Sequence, residues 1–270
     1  MTPKRVNRPA IFQSIPGLVA GVSTRHGGLS ETPFASLNLG IHTDDSPEII
    51  EKNLVLFCED VGVSPSDLAR SYQVHGDKIW VTGRPGYQSG FDAMVSVEPG
   101  VFAGVSIADC TPILLADPVT RVCAAIHAGW KGTVAGIVEK TAKRMIENRG
   151  SNPADMLAYI GPCISLVHFE VGDEVAAQFA AEFKTRVNNK WHVNLKEANA
   201  AQLRSVGIRQ IEIDPACTVE DNADYFSHRK EKGVTGRMLA LIGFQIAEEH
   251  LAIQILLRHQ FVGLLVIFPL

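Results

Sequence analysis

The amino-acid sequence predicts a single domain of the α/β class. Short apolar runs that end at turn residues recur along its 270 residues, which is typical of buried β-strands. Between them lie segments whose apolar residues recur with helical spacing. A hydrophobic content of 46% supports a substantial core, and no linker-like stretch divides the chain. We therefore expect one large domain built from strands and helices.

Three apolar runs in the middle of the chain are the clearest strand predictions. They cover residues 101–107, 112–116 and 122–126. Cys110 lies between the first two runs, and His127 directly follows the third. Both residues therefore lie where a strand gives way to a loop, which is where open α/β sheets tend to carry their chemistry.

The other elements follow from the same patterns. Residues 11–25 have strand character, and the residues 25–39, rich in Gly, Ser, Pro and Asn, predict a long ordered loop. Ser46 and Pro47 are typical of a helix start, and Gly62 is typical of its end. Further predicted elements are strands over residues 71–75 and 78–82, a loop over 83–90, a helix over 134–149, a strand over 156–160, helices over 173–183 and 195–206, and a strand over 208–213.

Composition narrows the class of protein. The net charge of −4 leaves no dominant basic field, so nucleic-acid binding is not expected. Polar residues and a proline interrupt any signal-peptide-like run near the N-terminus. The five cysteines, an odd number in apolar surroundings, indicate reduced thiols and predict a cytoplasmic protein. Cys58, Cys123 and Cys217 are expected to be packed core residues.

His75 lies at the edge of a turn between two predicted strands, and with Cys110 and His127 it gives a His/Cys/His set. Three protein ligands with an open fourth position are the pattern of catalytic zinc, whereas structural zinc is bound by four. The same residues also provide a nucleophile and a base, with Cys110 attacking and a histidine accepting the proton. The long sequence separations between these three residues do not distinguish a zinc site from a nucleophile–base pair, so both remain open.

Further residues could bind an anion. Residues 129–133 lead into the N-terminus of a predicted helix, which favours phosphate, although they lack the Walker spacing. Arg25, beside Gly27 and Gly28, and Arg229 carry guanidinium groups that suit phosphate. Each has an ordinary alternative: helix entry for the glycine-rich segment, and surface salt bridges for the arginines.

A series of short motifs follows along the chain: S-T-R-H-G-G-L-S (23–30), A-S-L-N-L-G (35–40), Q-V-H-G (73–76), A-D-C-T-P (108–112), H-A-G-W-K-G-T (127–133), I-G-P-C-I (160–164) and F-S-H-R…T-G-R-M (226–238). In sequence and order these motifs resemble the laccase-domain, YfiH-like family. Members of that family are described as multicopper polyphenol oxidases and as purine nucleoside phosphorylases. The resemblance covers about residues 11–244.

The resemblance implies a single α/β domain of layered mixed β-sheets flanked by helices. It also implies a zinc ion bound by the motif residues His75, Cys110 and His127, which the strand ends indicate independently. The motif arginines, Arg25 and Arg229, would lie near the substrate. The family often has a second arginine after the F-S-H-R motif, where this chain has a lysine.

The implied function is a zinc-dependent purine nucleoside phosphorylase that acts on adenosine, guanosine, inosine and methylthioadenosine and that also deaminates adenosine. Its partners are then a purine nucleoside and phosphate. Copper is less expected, because the nine histidines form no H-x-H motif. Two alternatives stay open: an amide hydrolase of the type that edits cell-wall precursors, using zinc or a Cys110 nucleophile, and a non-enzymatic zinc- and nucleotide-binding partner protein.

Residues 1–244 are thus expected to form the laccase-domain/purine nucleoside phosphorylase domain, and residues 245–270 an atypical apolar C-terminal extension. Residues 251–270 have the length of a membrane span, but Arg258 and His259 near the middle make insertion unfavourable. We expect this extension to pack on the domain or on a partner, and the protein to be a monomer or a homodimer.

Overall fold

The structure is a computed structural model that describes residues 4–246. Most of the predicted extension, residues 247–270, therefore lies outside the described residues. The described chain contains fifteen strands: β1 (Val6–Asn7), β2 (Leu18–Ser23), β3 (Leu68–Tyr72), β4 (Ile79–Thr82), β5 (Gly86–Ser89), β6 (Ala93–Ser96), β7 (Phe102–Ile107), β8 (Thr111–Asp117), β9 (Val122–Ala128), β10 (Leu157–Ile160), β11 (Glu170–Val171), β12 (Lys184–Val187), β13 (Lys190–Val193), β14 (Gln210–Ile213) and β15 (Met238–Phe244). Its five α-helices are α1 (Pro47–Val61), α2 (Trp130–Val134), α3 (Ile137–Arg149), α4 (Asp173–Ala176) and α5 (Leu195–Ser205).

Two six-stranded mixed sheets form the body of the fold. The first sheet has the order β1-β2-β15-β7-β3-β5, and the second has the order β14-β10-β8-β9-β6-β4. A small third sheet has the order β11-β13-β12. Most neighbouring strands of the two large sheets run antiparallel, whereas β3 runs parallel to β5 and β7, β4 runs parallel to β6, and β10 runs parallel to β14. The prediction of layered mixed sheets is confirmed.

The two large sheets are packed face to face, and helices cover their outer faces. Between the sheets, Val105 and Ile242 of the first sheet share one core with Leu114 of the second. Outside the second sheet, side chains of β8 and β9 pack against α3 and α5. Outside the first sheet, side chains of β15 pack against α1. Because both faces of the central strands are covered, β8, β9 and β15 are buried along their whole length.

Helix α1 begins and ends as predicted. Pro47 is its first residue, where the missing N–H of proline leaves no helical hydrogen bond unmade, although the Ser46 hydroxyl makes no capping hydrogen bond. Gly62 ends the helix with φ of 79°, a left-handed conformation that favours glycine. The predicted helix over residues 134–149 begins three residues later, as α3, because Gly136 adopts a left-handed conformation with φ of 76°; Val134 instead ends the short helix α2.

Several sequence expectations were wrong in detail. The predicted helix over residues 173–183 keeps only the four residues of α4, and the chain then enters a hairpin of β12 and β13 that was not predicted. Residues 83–90, expected to be a loop, contain the exposed edge strand β5. Strand β15 was not predicted either, although it lies between β2 and β7 inside the first sheet. A short apolar run of this kind can equally be a buried helix segment, and periodicity alone does not distinguish the two.

The loop predicted over residues 25–39 contains no strand or helix, as expected. Within the part of the chain that the structure describes, no helix combines the length and apolar character needed to cross a membrane.

Candidate metal and substrate site

Three metal-ligating side chains come together at the surface of the sandwich. Ligand atoms of His75, Cys110 and His127 all lie within 4.8 Å of one another. The imidazole rings of His75 and His127 meet edge to face, with 4.8 Å between their centroids. His75 is exposed, Cys110 is half-buried and His127 is buried, so the group is open to solvent on one side. The structure thus brings together the His/Cys/His set that the sequence singled out.

The topology explains this meeting. His75 lies where the chain passes from β3 of the first sheet to β4 of the second. Cys110 lies where the chain passes in the same direction from β7 to β8. His127 lies near the end of β9, which pairs with β8 so that His127 is opposite Pro112. Two crossings between the sheets and the end of a central strand therefore converge on one point.

The buried carboxylate of Asp92 fixes the positions of both histidines. Its Oδ1 accepts a hydrogen bond from Nδ1 of His127 at 2.8 Å and another from the backbone N–H of His75 at 2.9 Å. Its Oδ2 accepts from the backbone N–H groups of Val74 at 3.1 Å and Gly76 at 2.8 Å. Because a carboxylate only accepts, Nδ1 of His127 carries the proton and Nε2 stays available for a metal or a proton. The sequence predicted neither this residue nor its role.

The metal-free site favours a charged pair of thiolate and imidazolium. Burial raises the pKa of the Cys110 thiol, but the charge of His127 and hydrogen bonds from His127 and His75 outweigh it and lower that pKa to about 6. Burial lowers the pKa of His127, but the Cys110 charge and the hydrogen bond to Asp92 raise it to about 9. For Asp92, the effect of burial is outweighed by its bonds with His127, which lower its pKa.

Asp109 holds the turn that presents Cys110. Its backbone has a φ of 80°, a left-handed conformation that is uncommon outside glycine. Its Oδ1 accepts a hydrogen bond from the hydroxyl of Thr218 at 2.6 Å, and its Oδ2 accepts one from the backbone N–H of Arg229 at 2.6 Å. These charge-assisted bonds tie the turn to two distant segments of the chain.

Gly129 leaves room for the three ligand side chains. A Cβ atom added there would lie 3.1 Å from Sγ of Cys110 and 3.2 Å from Cδ2 of His75. Gly132 permits a second close approach, because a Cβ atom there would lie 2.9 Å from the carbonyl oxygen of Gly76. The glycines of the 129–133 segment therefore serve close packing around the site.

The three ligands line a cleft of about 490 Å³. This volume falls within the usual range of small-molecule sites, roughly 300–1,000 Å³. Besides the ligands, aromatic and cationic side chains surround the space; they include His42, Tyr72, Trp130, Phe169, Arg229 and Arg237. Of the segment predicted as an anion site, residues 129–133, Trp130 is the residue that reaches the cleft.

Arg237 is a cleft residue that the sequence did not single out. It is half-buried, and its Nη1 donates to the carbonyl oxygens of Thr235 at 2.8 Å and Gly236 at 2.9 Å. Among the described residues, its Nε and Nη2 have no hydrogen-bond acceptor. Burial lowers the pKa of Arg237, whereas the negative charges of Cys110 and Asp109 act in the opposite direction. Arg237 lies in the T-G-R-M motif, directly before the unpredicted strand β15, whose position in the first sheet brings it to the cleft.

Arg229 lies at the cleft, as the resemblance implied, and it is exposed. Its guanidinium donates to the carbonyl oxygens of His168 at 3.1 Å and Glu170 at 3.0 Å, and it lies over the ring of Phe169. These bonds use two of its five donors. Arg229 can therefore hold one wall of the cleft and still offer hydrogen bonds to a ligand.

Arg25, predicted to lie near the substrate, is not among the residues that line the cleft. Its guanidinium donates to the carbonyl oxygens of Ala35 and Asn222 and forms an ion pair of 3.1 Å with Glu231. It also lies 4.5 Å from the centre of the Phe226 ring. Its donors are thus engaged within the protein, where they tie the long loop after β2 to the segment before β15.

A family model described as multi-copper polyphenol oxidoreductase laccase matches residues 19–245. This chain belongs to that family. A purine nucleoside phosphorylase of Deinococcus radiodurans is 40% identical over 225 residues, which cover 82% of this chain and 87% of the relative. The purine nucleoside phosphorylase YfiH of Escherichia coli is 38% identical over 234 residues, covering 84% of this chain and 93% of the relative.

Solved structures of the family have the same fold. YlmD from Geobacillus stearothermophilus superimposes with a TM-score of 0.84 at 30% identity, covering 90% of this chain and 100% of that chain. A YfiH protein from Bacillus licheniformis superimposes with a TM-score of 0.83 at 31% identity, covering 86% of this chain and 95% of that chain. The resemblance inferred from the motifs is confirmed, and relatives named as phosphorylases support enzyme activity.

We expect Arg25→Ala to lower the free energy of unfolding by about 1–3 kcal/mol, since it removes the ion pair with Glu231 and the hydrogen bonds to the partly buried carbonyl oxygens of Ala35 and Asn222. Urea denaturation measures this change. Arg204→Ala is the matched control, because its pair with Glu197 is half exposed and should contribute less than ~1 kcal/mol. Unchanged stability together with weaker phosphate binding would instead restore the direct role first predicted for Arg25.

In metal-free protein near pH 7, we expect iodoacetamide to alkylate Cys110 much faster than Cys58, Cys123 or Cys163, because the thiolate is the reactive form. Burial raises the pKa of those three thiols to about 11, 12 and 11. The Cys110 rate should fall as pH falls through about 6, since its thiolate is then protonated. Peptide mass spectrometry assigns each rate. A midpoint above pH 8 would contradict the charged pair.

Proposed function

We propose that this protein is a zinc-dependent purine nucleoside phosphorylase that acts on adenosine, guanosine, inosine and methylthioadenosine. The observation that carries the proposal is that one cleft of nucleoside size contains the His/Cys/His group together with Arg237, whose guanidinium keeps donors available for a ligand. The relatives named above as purine nucleoside phosphorylases support the same conclusion. The substrates would be a purine nucleoside and inorganic phosphate.

His75, Cys110 and His127 fit a zinc ion. Two imidazoles and one thiolate are ligands that zinc prefers, and three of them leave one position for substrate or water. Asp92 accepts the Nδ1 proton of His127, which is the usual outer support of a metal-binding histidine. Gly129 leaves the space beside these ligands free of a side chain. When bound, zinc would supply Lewis-acid chemistry, polarising a substrate oxygen or nitrogen and making water more acidic.

This donor set does not fit the several coppers of the family description. The nine histidines of the chain form no H-x-H motif, and no cysteine adjoins a histidine in sequence. One imidazole–thiolate group cannot supply the ligands of a copper cluster. A single zinc ion, which accepts both nitrogen and sulfur ligands, suits this donor set better.

Arg237 and Arg229 are the proposed phosphate donors. In phosphorolysis, a phosphate oxygen forms a bond to C1′ of the ribose while the bond from C1′ to the purine nitrogen breaks, and the purine leaves with a proton. Guanidinium groups would hold the phosphate by paired, charge-assisted hydrogen bonds. They would also place it against the sugar, and placement alone lowers the barrier of a two-substrate reaction.

Aromatic side chains at the cleft suit the purine. Tyr72 and His42 lie edge to face with 4.3 Å between ring centroids, and Trp130 and Phe169 also line the space. Stacking of a base on such rings contributes ~1–3 kcal/mol per base in single-stranded nucleic-acid sites. It is tolerant of base identity, which is consistent with activity on several purine nucleosides.

We propose adenosine deamination as a second reaction of the same cleft, in which water replaces the amino group of adenosine and gives inosine and ammonia. It would need no second site, because the open metal position can serve water as well as substrate. Phosphorolysis would occur when phosphate is present, and deamination when it is absent.

The test of function is product analysis with zinc-loaded protein. Adenosine with phosphate should give adenine and ribose 1-phosphate, and adenosine without phosphate should give inosine. Failure of both reactions with all four nucleosides, in folded and metal-loaded protein, would exclude the proposal. If nucleoside still bound, the non-enzymatic alternative would be favoured.

We expect His75→Ala, Cys110→Ala and His127→Ala each to lose one equivalent of zinc per chain and to abolish phosphorolysis, because three ligands leave none to spare. Inductively coupled plasma mass spectrometry measures the amount of zinc per chain. Cys58→Ala is the matched cysteine control, since Cys58 lies on the buried face of α1, away from the cleft. Cys110→Ala with full metal but no activity would favour the nucleophilic hydrolase instead.

We expect Arg237→Gln to raise the KM for phosphate about 10–100-fold while changing the KM for nucleoside little, because a hydrogen bond to a charged group contributes ~1.5–3 kcal/mol. Initial rates over a range of both substrates separate the two constants. Arg204→Gln serves as a surface control. Equal changes in both constants would contradict a phosphate-specific role.

A further inference from the structure

A second group of metal-ligating side chains lies outside the set described above. Ligand atoms of His168, Cys217 and Glu220 lie within 4.8 Å of one another. Within residues 4–246, this group and the cleft group are the two sets of at least three such residues. The sequence had indicated only a packed core role for Cys217.

The backbone holds the members of this group side by side. His168 lies between β10 and β11, and the other two residues lie after β14. The two segments meet at an isolated parallel bridge between Cys163 and Cys217, and the N–H of Thr218 donates to the carbonyl oxygen of Cys163. The N–H of Cys217 also donates to Oδ2 of Asp221 at 2.9 Å, which fixes the turn that carries the thiol.

The donor atoms form a small funnel with the sulfur at its base. Cys217 is 2% exposed, whereas the side chains of His168 and Glu220 are 33% and 56% exposed. Nε2 of His168 and Oε1 of Glu220 are already 3.0 Å apart. Two ligands of a tetrahedral zinc, each about 2.0–2.2 Å from the ion, are separated by about 3.3–3.6 Å. His168 and Glu220 would therefore separate slightly to bind the ion, and Sγ of Cys217, which lies within 4.8 Å of both, would complete the group.

One backbone donor already orients the sulfur. The backbone N–H of Ser165 donates to Sγ of Cys217 at 3.3 Å. Hydrogen bonds to a metal-binding atom from its surroundings orient that atom and stabilise its charge. The hydroxyl of Ser165 is itself buried without a hydrogen-bond partner in the described structure, although buried polar atoms are normally paired.

We propose that His168, Cys217 and Glu220 bind a second zinc ion, separate from the cleft. Nε2 of neutral His168, the Cys217 thiolate and one Glu220 carboxylate oxygen are its protein ligands, and water occupies the fourth position. On binding, the Cys217 thiol releases its proton to solvent, and the hydrogen bond between His168 and Glu220 is replaced by two bonds to the ion. Sulfur and nitrogen donors select zinc or a similar transition metal over Mg²⁺ or Ca²⁺.

This ion would brace one wall of the cleft. The carbonyl oxygen of His168 accepts a hydrogen bond from Arg229, and the next residue, Phe169, lines the cleft. Clamping His168 to the segment that carries Cys217 limits the movement of that wall. Removal of the second zinc would thus change substrate binding through this wall, without removing any cleft ligand.

The test is metal content and cobalt spectroscopy of the full-length protein. We expect two equivalents of zinc per chain in the unaltered protein, and one in each of His168→Gln, Cys217→Ser and Glu220→Gln. Glu220→Gln alters an exposed side chain and should not affect folding. His26→Gln is the matched control, because His26 pairs with Asp224 at 2.7 Å in an exposed site without a cysteine ligand. This control should keep both equivalents.

Cobalt(II) identifies the ligand directly, because a thiolate ligand gives an intense sulfur-to-cobalt absorption. In Cys110→Ala, this band should persist and should then be lost on adding Cys217→Ser. One equivalent of metal in the unaltered protein, lost in Cys110→Ala and kept in His168→Gln, would overturn the second site while leaving the cleft zinc intact. Two equivalents without phosphorolysis would support this site and contradict the proposed function.

Discussion

The buried carboxylate of Asp92 is the constraint on which the site depends. Burying a carboxylate is unfavourable unless its charge is compensated by hydrogen bonds or a cation. Here four donors meet it: the ring of His127 and the backbone N–H groups of three consecutive residues around His75. One side chain that enters the second sheet thereby fixes a loop that leaves the first sheet. Any change that releases Asp92 would free both histidines at once.

The layered sheets make this arrangement possible. The two crossings that carry His75 and Cys110 leave neighbouring strands, because β3 and β7 pair within the first sheet. They enter the second sheet at β4 and β8, with β6 and β9 between these strands. Asp92 immediately precedes β6, and His127 lies in β9. The site therefore spans the junction of the sheets, where packed strands on both sides restrict its movement.

Local sequence identified the three candidate metal ligands because each lies at a strand end marked by glycine, proline or an acid. The apolar runs around Cys110 and His127 place both side chains correctly, since β7, β8 and β9 are consecutive strands of buried sheets. The positions of the arginines were harder to predict from the sequence. Whether Arg25 or Arg237 faces the cleft depends on long-range partners such as Glu231 and on strand β15. Tertiary partners of this kind leave no periodic signal in the sequence.

Asp92, His127 and Cys110 also have the connectivity of a nucleophile, a base and an orienting carboxylate. The remaining imidazole distinguishes the two chemistries. A nucleophilic cysteine needs one base, and a second base at the same thiol has no function in that reaction. His75 nevertheless lies against both Cys110 and His127, and its loop is fixed by the carboxylate that orients His127. A metal requires this third donor. The fixed position of His75 therefore favours a ligand set over a catalytic triad.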